Sequence, residues 1–192
     1  MAAAPVTDRL LDQFVTALTR RKASCEVVAR ADAARAGARW IADRGVVRAV
    51  LADDPVIQGI GLPDALRAAG VDPIMWPTSL GRREQLGLEG PDDVCGVTAP
   101  ALAVAERGTV VLEAAPGHGR AIDVASRHHL AVLPADRIVE TLGEALARTY
   151  APGRAAPSAV SLVSGPSRSS DIEKISTLGA HGALTEHVII VL

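Results

Sequence analysis

The sequence is poor in the residue types that several large classes of protein need. Aromatic residues make up only 2% of its 192 residues, so the stacking platforms that bind single-stranded nucleic acid are missing. Its two cysteines, Cys25 and Cys95, favour a reduced, cytoplasmic protein and cannot supply the four thiolates that commonly hold an iron–sulfur cluster. The net charge of −2 gives no overall attraction for nucleic acid.

Segments that mark other classes are missing too. No apolar stretch approaches the roughly 20 residues of a membrane span, and residues 1–8 lack the basic start and apolar run of a signal peptide. Neither lysine, Lys22 or Lys174, follows a glycine, which excludes a Walker-type phosphate loop. The adjacent His128 and His129 point different ways on a strand or a helix. We therefore expect no metal site and no cofactor bound by this chain.

Hydrophobic residues are plentiful, at 48%, which suits one domain with a sizeable core. Apolar runs alternate with segments of helical periodicity, which predicts an α/β fold with a mostly parallel sheet flanked by helices. Residues 1–23 are predicted as an N-terminal helical extension, with a helix over 7–22, and residues 24–192 as the α/β domain. In the C-terminal half the pattern predicts helical segments at 100–107 and 135–150.

Sheets of this kind bind ligands beyond the carboxyl ends of their strands. We therefore expect the site to lie in the loops that follow the predicted strands. Those loops come after Ala52, Trp76, Val97, Ala114, Pro134 and Ser164.

The most informative block is residues 164–173, Ser-Gly-Pro-Ser-Arg-Ser-Ser-Asp-Ile-Glu. Apolar residues at helical spacing predict a helix over 170–178. A helix N-terminus presents unpaired N–H groups and the positive end of a dipole, and Arg168 adds further donors, which suits a phosphate or a carboxylate. Helix capping by Ser170 and Glu173 explains part of the same block. The residues alone leave an anion site and pure capping evenly balanced.

Two further motifs carry candidate chemistry. Thr98 ends a predicted strand, and Glu106 stands in a tight turn, where a carboxylate can act as a nucleophile or a base. Chemistry alone favours a solvated turn glutamate over that role. His181 lies between nearby glycines that let the backbone approach a ligand, and a helix C-cap followed by a turn explains that pattern equally well.

Taken in order, these blocks resemble the LUD domain family, and within it the lactate utilization protein C branch. The resemblance covers residues 93–192, whereas Arg107, Arg137 and Ala183 depart from the family pattern. The matching segments are 96–98, 105–109, 130–139, 164–173 and 178–183. The resemblance implies a NagB/RpiA/CoA-transferase-like fold. With the motifs, it gives the candidate ligand-binding residues Thr98, Gly108, Thr109, Gly165, Ser167, Arg168, His181 and Gly182, with Glu106 as the candidate catalytic residue.

The resemblance also implies a role in oxidising L-lactate to pyruvate beside two iron–sulfur partner proteins. This chain would then be a non-redox subunit that binds a small carboxylate or phosphate, or docks the partners. A second hypothesis is a self-sufficient enzyme of the CoA-transferase or sugar-phosphate type, with Glu106 as nucleophile or base. A third is a regulatory module whose helix at 7–22 packs on a partner. The ligand, any homo-oligomer and whether this chain is catalytic stay open.

Overall fold

The computed structural model describes residues 7–77, 94–124, 126–167 and 182–192, with 124, 168–170 and 176–178 as backbone alone. Its centre is a sheet of six parallel strands, which are β1 (Ser24–Val28), β2 (Arg48–Leu51), β3 (Asp72–Met75), β4 (Val94–Thr98), β7 (His128–Pro134) and β12 (Thr185–Val191). Their order across the sheet is β1-β12-β7-β4-β2-β3. The predicted α/β fold with a mostly parallel sheet is confirmed.

A second sheet has four strands, which are β5 (Leu102–Val104), β6 (Thr109–Glu113), β8 (Ile138–Val139) and β9 (Val160–Val163). Their order across the sheet is β8-β5-β6-β9. The β5–β6 and β6–β9 pairs are antiparallel, and β5–β8 is parallel. A separate hairpin pairs β10 (Arg168–Ser170) with β11 (Ser176–Leu178).

Six helices connect or cover these sheets in the described part of the chain. They are α1 (Asp8–Arg20), α2 (Arg30–Ala42), α3 (Pro55–Gly59), α4 (Leu62–Ala68), α5 (Ala121–Val124) and α6 (Leu142–Thr149). Side-chain caps fix where three of them begin, since Thr7, Asp54 and Thr141 each accept a backbone N–H of the first turn. Among the described helices, none is both long and apolar enough to span a bilayer.

The central strands β4, β7 and β12 are buried on both faces, which is why β7 and β12 carry continuous apolar runs after their first two or three residues. Leu130 and Val132 of β7 point to the face covered by α2, α3 and α4. Ala131 and Leu133, the alternate residues of the same strand, point to the face covered by α1 and the second sheet. The core therefore has two layers, one on each side of the sheet.

The helix predicted over 7–22 is confirmed as α1. Its Phe14 and Leu18 are buried against the second sheet and β12. Because this apolar face packs inside its own chain, the hypothesis of a module whose N-terminal helix docks on a partner loses support.

Two predicted helical segments before residue 150 are wrong in part. Leu102–Val104 forms β5 because β6 and β8 pair with it on both sides. In the segment 135–150, Ala135–Arg137 is a 3₁₀ turn and Ile138–Val139 is strand β8. The α-helix begins only at Leu142, where Thr141 caps it. Long-range strand pairing, which a local pattern does not report, decides both segments.

The helix predicted over 170–178 is also wrong for the described residues of that segment. Ser170 ends strand β10 and pairs with Ser176, the first residue of β11. The argument for an anion site from a helix N-terminus at this block therefore falls away. Arg168 opens β10, while His181 lies outside the described residues.

Candidate functional site

The path of the chain through the sheet changes direction between β2 and β4, which are neighbours. After β2 the chain passes through α3 and α4 on one face and continues outward to β3. After β4 it passes through the second sheet on the opposite face and continues to β7 and β12. Connections that leave adjacent strand ends toward opposite faces open a crevice at their carboxyl ends.

A cavity of about 400 Å³ occupies this crevice, and we call it the inner chamber. Asp53 and Asp54 come to it from the end of β2, and Ala99 and Ala101 from the end of β4. Its remaining walls are Glu113, Ala115, Gly117, His118 and Arg137. The site therefore draws on four of the loops that the strand-end rule indicated, those after Ala52, Val97, Ala114 and Pro134.

Close backbone contact holds the loop after β6 against the loop after β2. The Asp53 N–H donates to the Gly117 carbonyl oxygen at 2.8 Å. A Cβ at residue 117 would lie 2.5 Å from the Asp53 carbonyl oxygen, so only glycine fits here. This contact places His118, the next residue, on the wall of the inner chamber.

Arg137 supplies a cation to the inner chamber. It follows β7 in the 3₁₀ turn Ala135–Arg137 and is half-buried. Its Nη1 donates to the Pro100 carbonyl oxygen at 2.8 Å, which anchors the guanidinium beside the end of β4. A guanidinium carries five N–H donors, and this is its one hydrogen bond to a described residue. The other donors can bind a carboxylate in a forked geometry.

His118 is a neutral imidazole at neutral pH. Burial lowers its pKa, and His129 adds to that effect, while the charges of Asp123 and Asp54 offset only part of it. A neutral imidazole donates from one nitrogen and accepts at the other. Among the described residues, no group of three His, Cys, Asp or Glu side chains is arranged to hold a metal ion.

A larger cavity of about 700 Å³, the outer chamber, adjoins the inner one. Glu113, Ala115 and His118 line both chambers. The carboxylate of Glu113 is held in place, since Arg154 Nη1 donates to Oε1 at 2.9 Å, Arg154 Nη2 donates to Oε2, and Thr149 Oγ1 donates to Oε1 at 3.0 Å. Because Arg154 pairs with Glu113, this carboxylate does not repel an anionic ligand.

Behind the chambers, three buried polar side chains form a hydrogen-bonded row across β4, β7 and β12. Thr98 Oγ1 lies 2.8 Å from His129 Nε2, and His129 Nδ1 lies 2.6 Å from Glu186 Oε2. Burial alone lowers the pKa of His129, but the Glu186 charge, the hydrogen bond to it and the Asp123 charge together raise it above its ordinary value. We infer an imidazolium–carboxylate pair in which Nε2–H donates to Thr98.

Four of the sequence-predicted ligand residues come together at the opposite edge of the sheet. Thr109 Oγ1 lies 2.6 Å from Ser164 Oγ, which ties the start of β6 to the end of β9. A Cβ on Gly165 would lie 2.7 Å from the Arg21 carbonyl oxygen, just before β1. The Ser167 N–H donates to the Ala183 carbonyl oxygen at 2.9 Å, and a Cβ on Gly182 would touch Ser167. This group sits by the amino ends of β1 and β12.

Glu106 stands apart from both groups. Its Oε1 accepts the Leu142 N–H at 3.0 Å, which satisfies a free donor at the start of α6. Arg107 Nε lies 3.8 Å from the same oxygen. Glu106 does not line either chamber, and its role as nucleophile or base stays a prediction.

Sequence reasoning missed the charged residues of the chambers. Asp53, Asp54, His118 and Arg137 all lie just after predicted strand ends. A list of the charged and histidine side chains in those loops would have found them. Arg137 departs from the family pattern, which argues against it as a site residue, yet it supplies the inner chamber's guanidinium.

Comparison with known proteins supports a common origin along almost the whole sequence. The LUD domain model matches residues 11–191. Lactate utilization protein C of Geobacillus sp. (strain WCH70) is 28% identical over 191 residues, 96% of this chain and 78% of that protein. The protein of the same name in Halalkalibacterium halodurans is 30% identical over 142 residues. That match covers 72% of this chain and 60%, less than two thirds, of the relative.

Two further similarities are less specific about function. The uncharacterized protein YkgG of Escherichia coli (strain K12) is 28% identical over 174 residues, 87% of this chain and 69% of that protein. The crystal structure of a DUF162 family protein from Deinococcus radiodurans matches with a TM-score of 0.65 and 23% identity, covering 98% of this chain and 100% of that one. The structural match shows a shared fold, and the family model shows that this chain belongs to the LUD domain family.

Proposed function

We propose that this chain serves lactate utilization as a non-redox subunit that binds a small 2-hydroxy or 2-oxo monocarboxylate in the inner chamber. The observation that carries the proposal is the position of that chamber, at the carboxyl ends of β2 and β4, where the connections diverge. The names of the relatives in Geobacillus and Halalkalibacterium supply the substrate class.

The chamber's side chains suit such an acid. Arg137 binds the carboxylate through its unused N–H donors. Neutral His118 bonds to the oxygen at carbon 2, donating to a ketone or accepting from a hydroxyl. Because lactate and pyruvate differ only at that carbon, one imidazole can accommodate both.

In this proposal, iron–sulfur partner proteins carry out the electron transfer. The chain's cysteines are free. Burial raises the pKa of both thiols, and Cys95 is fully buried. A thiol of raised pKa is a poor metal ligand, so this chain supplies ligand binding and partner contact. Free thiols also fit a cytoplasmic location.

Reconstitution of lactate oxidation tests the proposal. The iron–sulfur partners are purified, and lactate oxidation is measured without this chain, with it, and with its Arg137→Ala variant. We expect the rate to depend on this chain and to fall at least about tenfold in Arg137→Ala, since a charged hydrogen bond contributes about 1.5–3 kcal/mol. Arg67→Ala, which removes an exposed arginine from α4, is the matched control. Full activity of the partners alone would overturn the proposal.

The sequence suggests a second location and a second function. Gly165, Ser167 and Arg168 are an alternative place for the anion, which Arg168→Ala tests. For the CoA-transferase-type alternative, Glu106→Gln distinguishes the two roles of the carboxylate. A helix-capping role predicts a small loss of stability and unchanged chemistry, whereas a nucleophile or base predicts loss of turnover.

A further inference from the structure

The outer chamber is too large for the ligand proposed above. Pockets of about 300–1,000 Å³ typically bury a drug-sized ligand, and this cavity measures about 700 Å³. A three-carbon acid in the inner chamber leaves the outer chamber unfilled. A second group, larger than the acid, therefore has room beside it.

The outer chamber offers an anion two guanidinium groups. Arg120 is exposed and lines the chamber, and it makes no hydrogen bond or ion pair with the described residues. Arg154 stands on the same wall with its position fixed by Glu113 and by the Thr149 carbonyl oxygen. Since Glu113 is the single carboxylate among the lining residues, the described lining carries an excess of positive charge.

The chamber also offers an aromatic ring. Trp76 follows β3 and is half-buried. Its indole packs directly on Gly119, where a Cβ would lie 2.3 Å from the ring. The absence of a side chain at residue 119 lets the ring lie against the backbone, and the same ring lines the cavity. A fixed indole beside two guanidinium groups, of which Arg120 has no partner among the described residues, suits a planar ring joined to phosphates.

We propose that the outer chamber is a binding site for a nucleotide-class ligand, with Trp76 packing against its ring and Arg120 and Arg154 binding its phosphates. These three residues differ from Arg137 and His118, which are proposed to bind the monocarboxylate, although the two chambers share the wall that contains His118. Each ligand can therefore be tested without the other.

Intrinsic tryptophan fluorescence gives the test a local reporter. The sequence has two tryptophans. Trp40 is buried beside His187, near the amino ends of the strands, whereas Trp76 lines the chamber. ADP, adenosine and inorganic pyrophosphate are titrated separately, with calorimetry as a second measure of binding. We expect ADP to change the fluorescence saturably and to bind at least about tenfold more tightly than adenosine or pyrophosphate.

Variants assign the binding to the chamber. Arg120→Ala and Trp76→Ala should each weaken ADP binding about tenfold or more, the loss that one charged hydrogen bond or one ring contact produces. Arg67→Ala and Arg137→Ala should leave it unchanged. No ADP binding by calorimetry would overturn the proposal, as would equal binding of adenosine and ADP, or unchanged ADP affinity in Arg120→Ala and Trp76→Ala. Loss of ADP binding in Arg137→Ala would indicate that ADP binds in the inner chamber, and would likewise overturn the proposal. Pyruvate binding tests the inner chamber separately, so the two proposals can fail independently.

Discussion

His129 Nδ1 lies 2.6 Å from Glu186 Oε2, and both side chains are buried in the face of the main sheet that packs on the second sheet. Removing one partner of a buried charge pair leaves the other charge uncompensated, at a cost of about 3–5 kcal/mol. We expect His129→Ala and Glu186→Ala each to lower the free energy of unfolding by about that amount in urea titrations.

Two comparisons make this prediction specific. The double variant His129→Leu with Glu186→Met replaces the pair with apolar groups and should recover part of the loss. Arg39→Ala breaks the exposed Arg39–Glu26 pair, whose side chains are 55% and 40% exposed, and should cost less than about 1 kcal/mol. A loss of that small size in His129→Ala would show that the buried pair is not charged.

His187 makes the protein sensitive to acid. Burial and the charge of Arg44 lower its pKa to about 4, against the opposing charge of Glu26. The unfolded chain binds a proton near the ordinary histidine pKa of about 6.5, so stability is present above that pH and is lost as the pH falls toward 4. The loss should reach about 2–4 kcal/mol at about 1.4 kcal/mol per pKa unit.

His187→Phe isolates this contribution. The phenyl ring keeps the stacking on Trp40, whose centroid lies 4.8 Å from that of His187, and removes the titration. Between pH 7 and 4.5 the difference in unfolding free energy between wild type and variant should shift in favour of the variant. Parallel stability curves would contradict the prediction. The comparison uses the difference between wild type and variant because a second histidine also contributes to the acid sensitivity. The pKa of His128 is lowered as well, by burial and by the charges of Arg44 and Arg127.

Gly108 is required by packing as well as by its backbone conformation. Its φ is +60°, and a Cβ would lie 2.2 Å from the Leu18 nitrogen of α1. Gly45 has a similar φ of +69° with open space around it. Gly45→Ala should therefore lower the free energy of unfolding by about 1–2 kcal/mol, because alanine disfavours a left-handed conformation. Gly108→Ala should lower it by about 1–3 kcal/mol more, because its Cβ also clashes with α1. Equal losses of stability in Gly45→Ala and Gly108→Ala, measured by thermal unfolding, would show that α1 does not pack closely against this turn.

Much of the fold could be predicted because the β strands are apolar on both faces. The opposite directions of His128 and His129 are also confirmed, since His128 lies beside Trp40 and Thr185 while His129 bonds to Thr98 and Glu186. In contrast, β5, β8 and the β10–β11 hairpin could not be predicted from the sequence, because their conformation depends on partners elsewhere in the chain.

The site was predictable as a set of loops and not as a set of side chains. Strand ends locate the loops that carry Asp53, His118 and Arg137. Their meeting depends on β2 and β4 being neighbours, and strand order is not readable from local patterns. The resemblance to known proteins pointed instead to Thr109, Gly165 and Ser167, which meet at the other edge of the sheet.

Calorimetric titration of pyruvate and lactate into the wild type, Arg137→Ala and Arg168→Ala tests the central proposal most directly. Both acids should bind the wild type and Arg168→Ala alike, and Arg137→Ala should lose about 1.5–3 kcal/mol of binding free energy. Unchanged binding in Arg137→Ala, with loss in Arg168→Ala, would contradict the account and move the ligand to the opposite edge of the sheet.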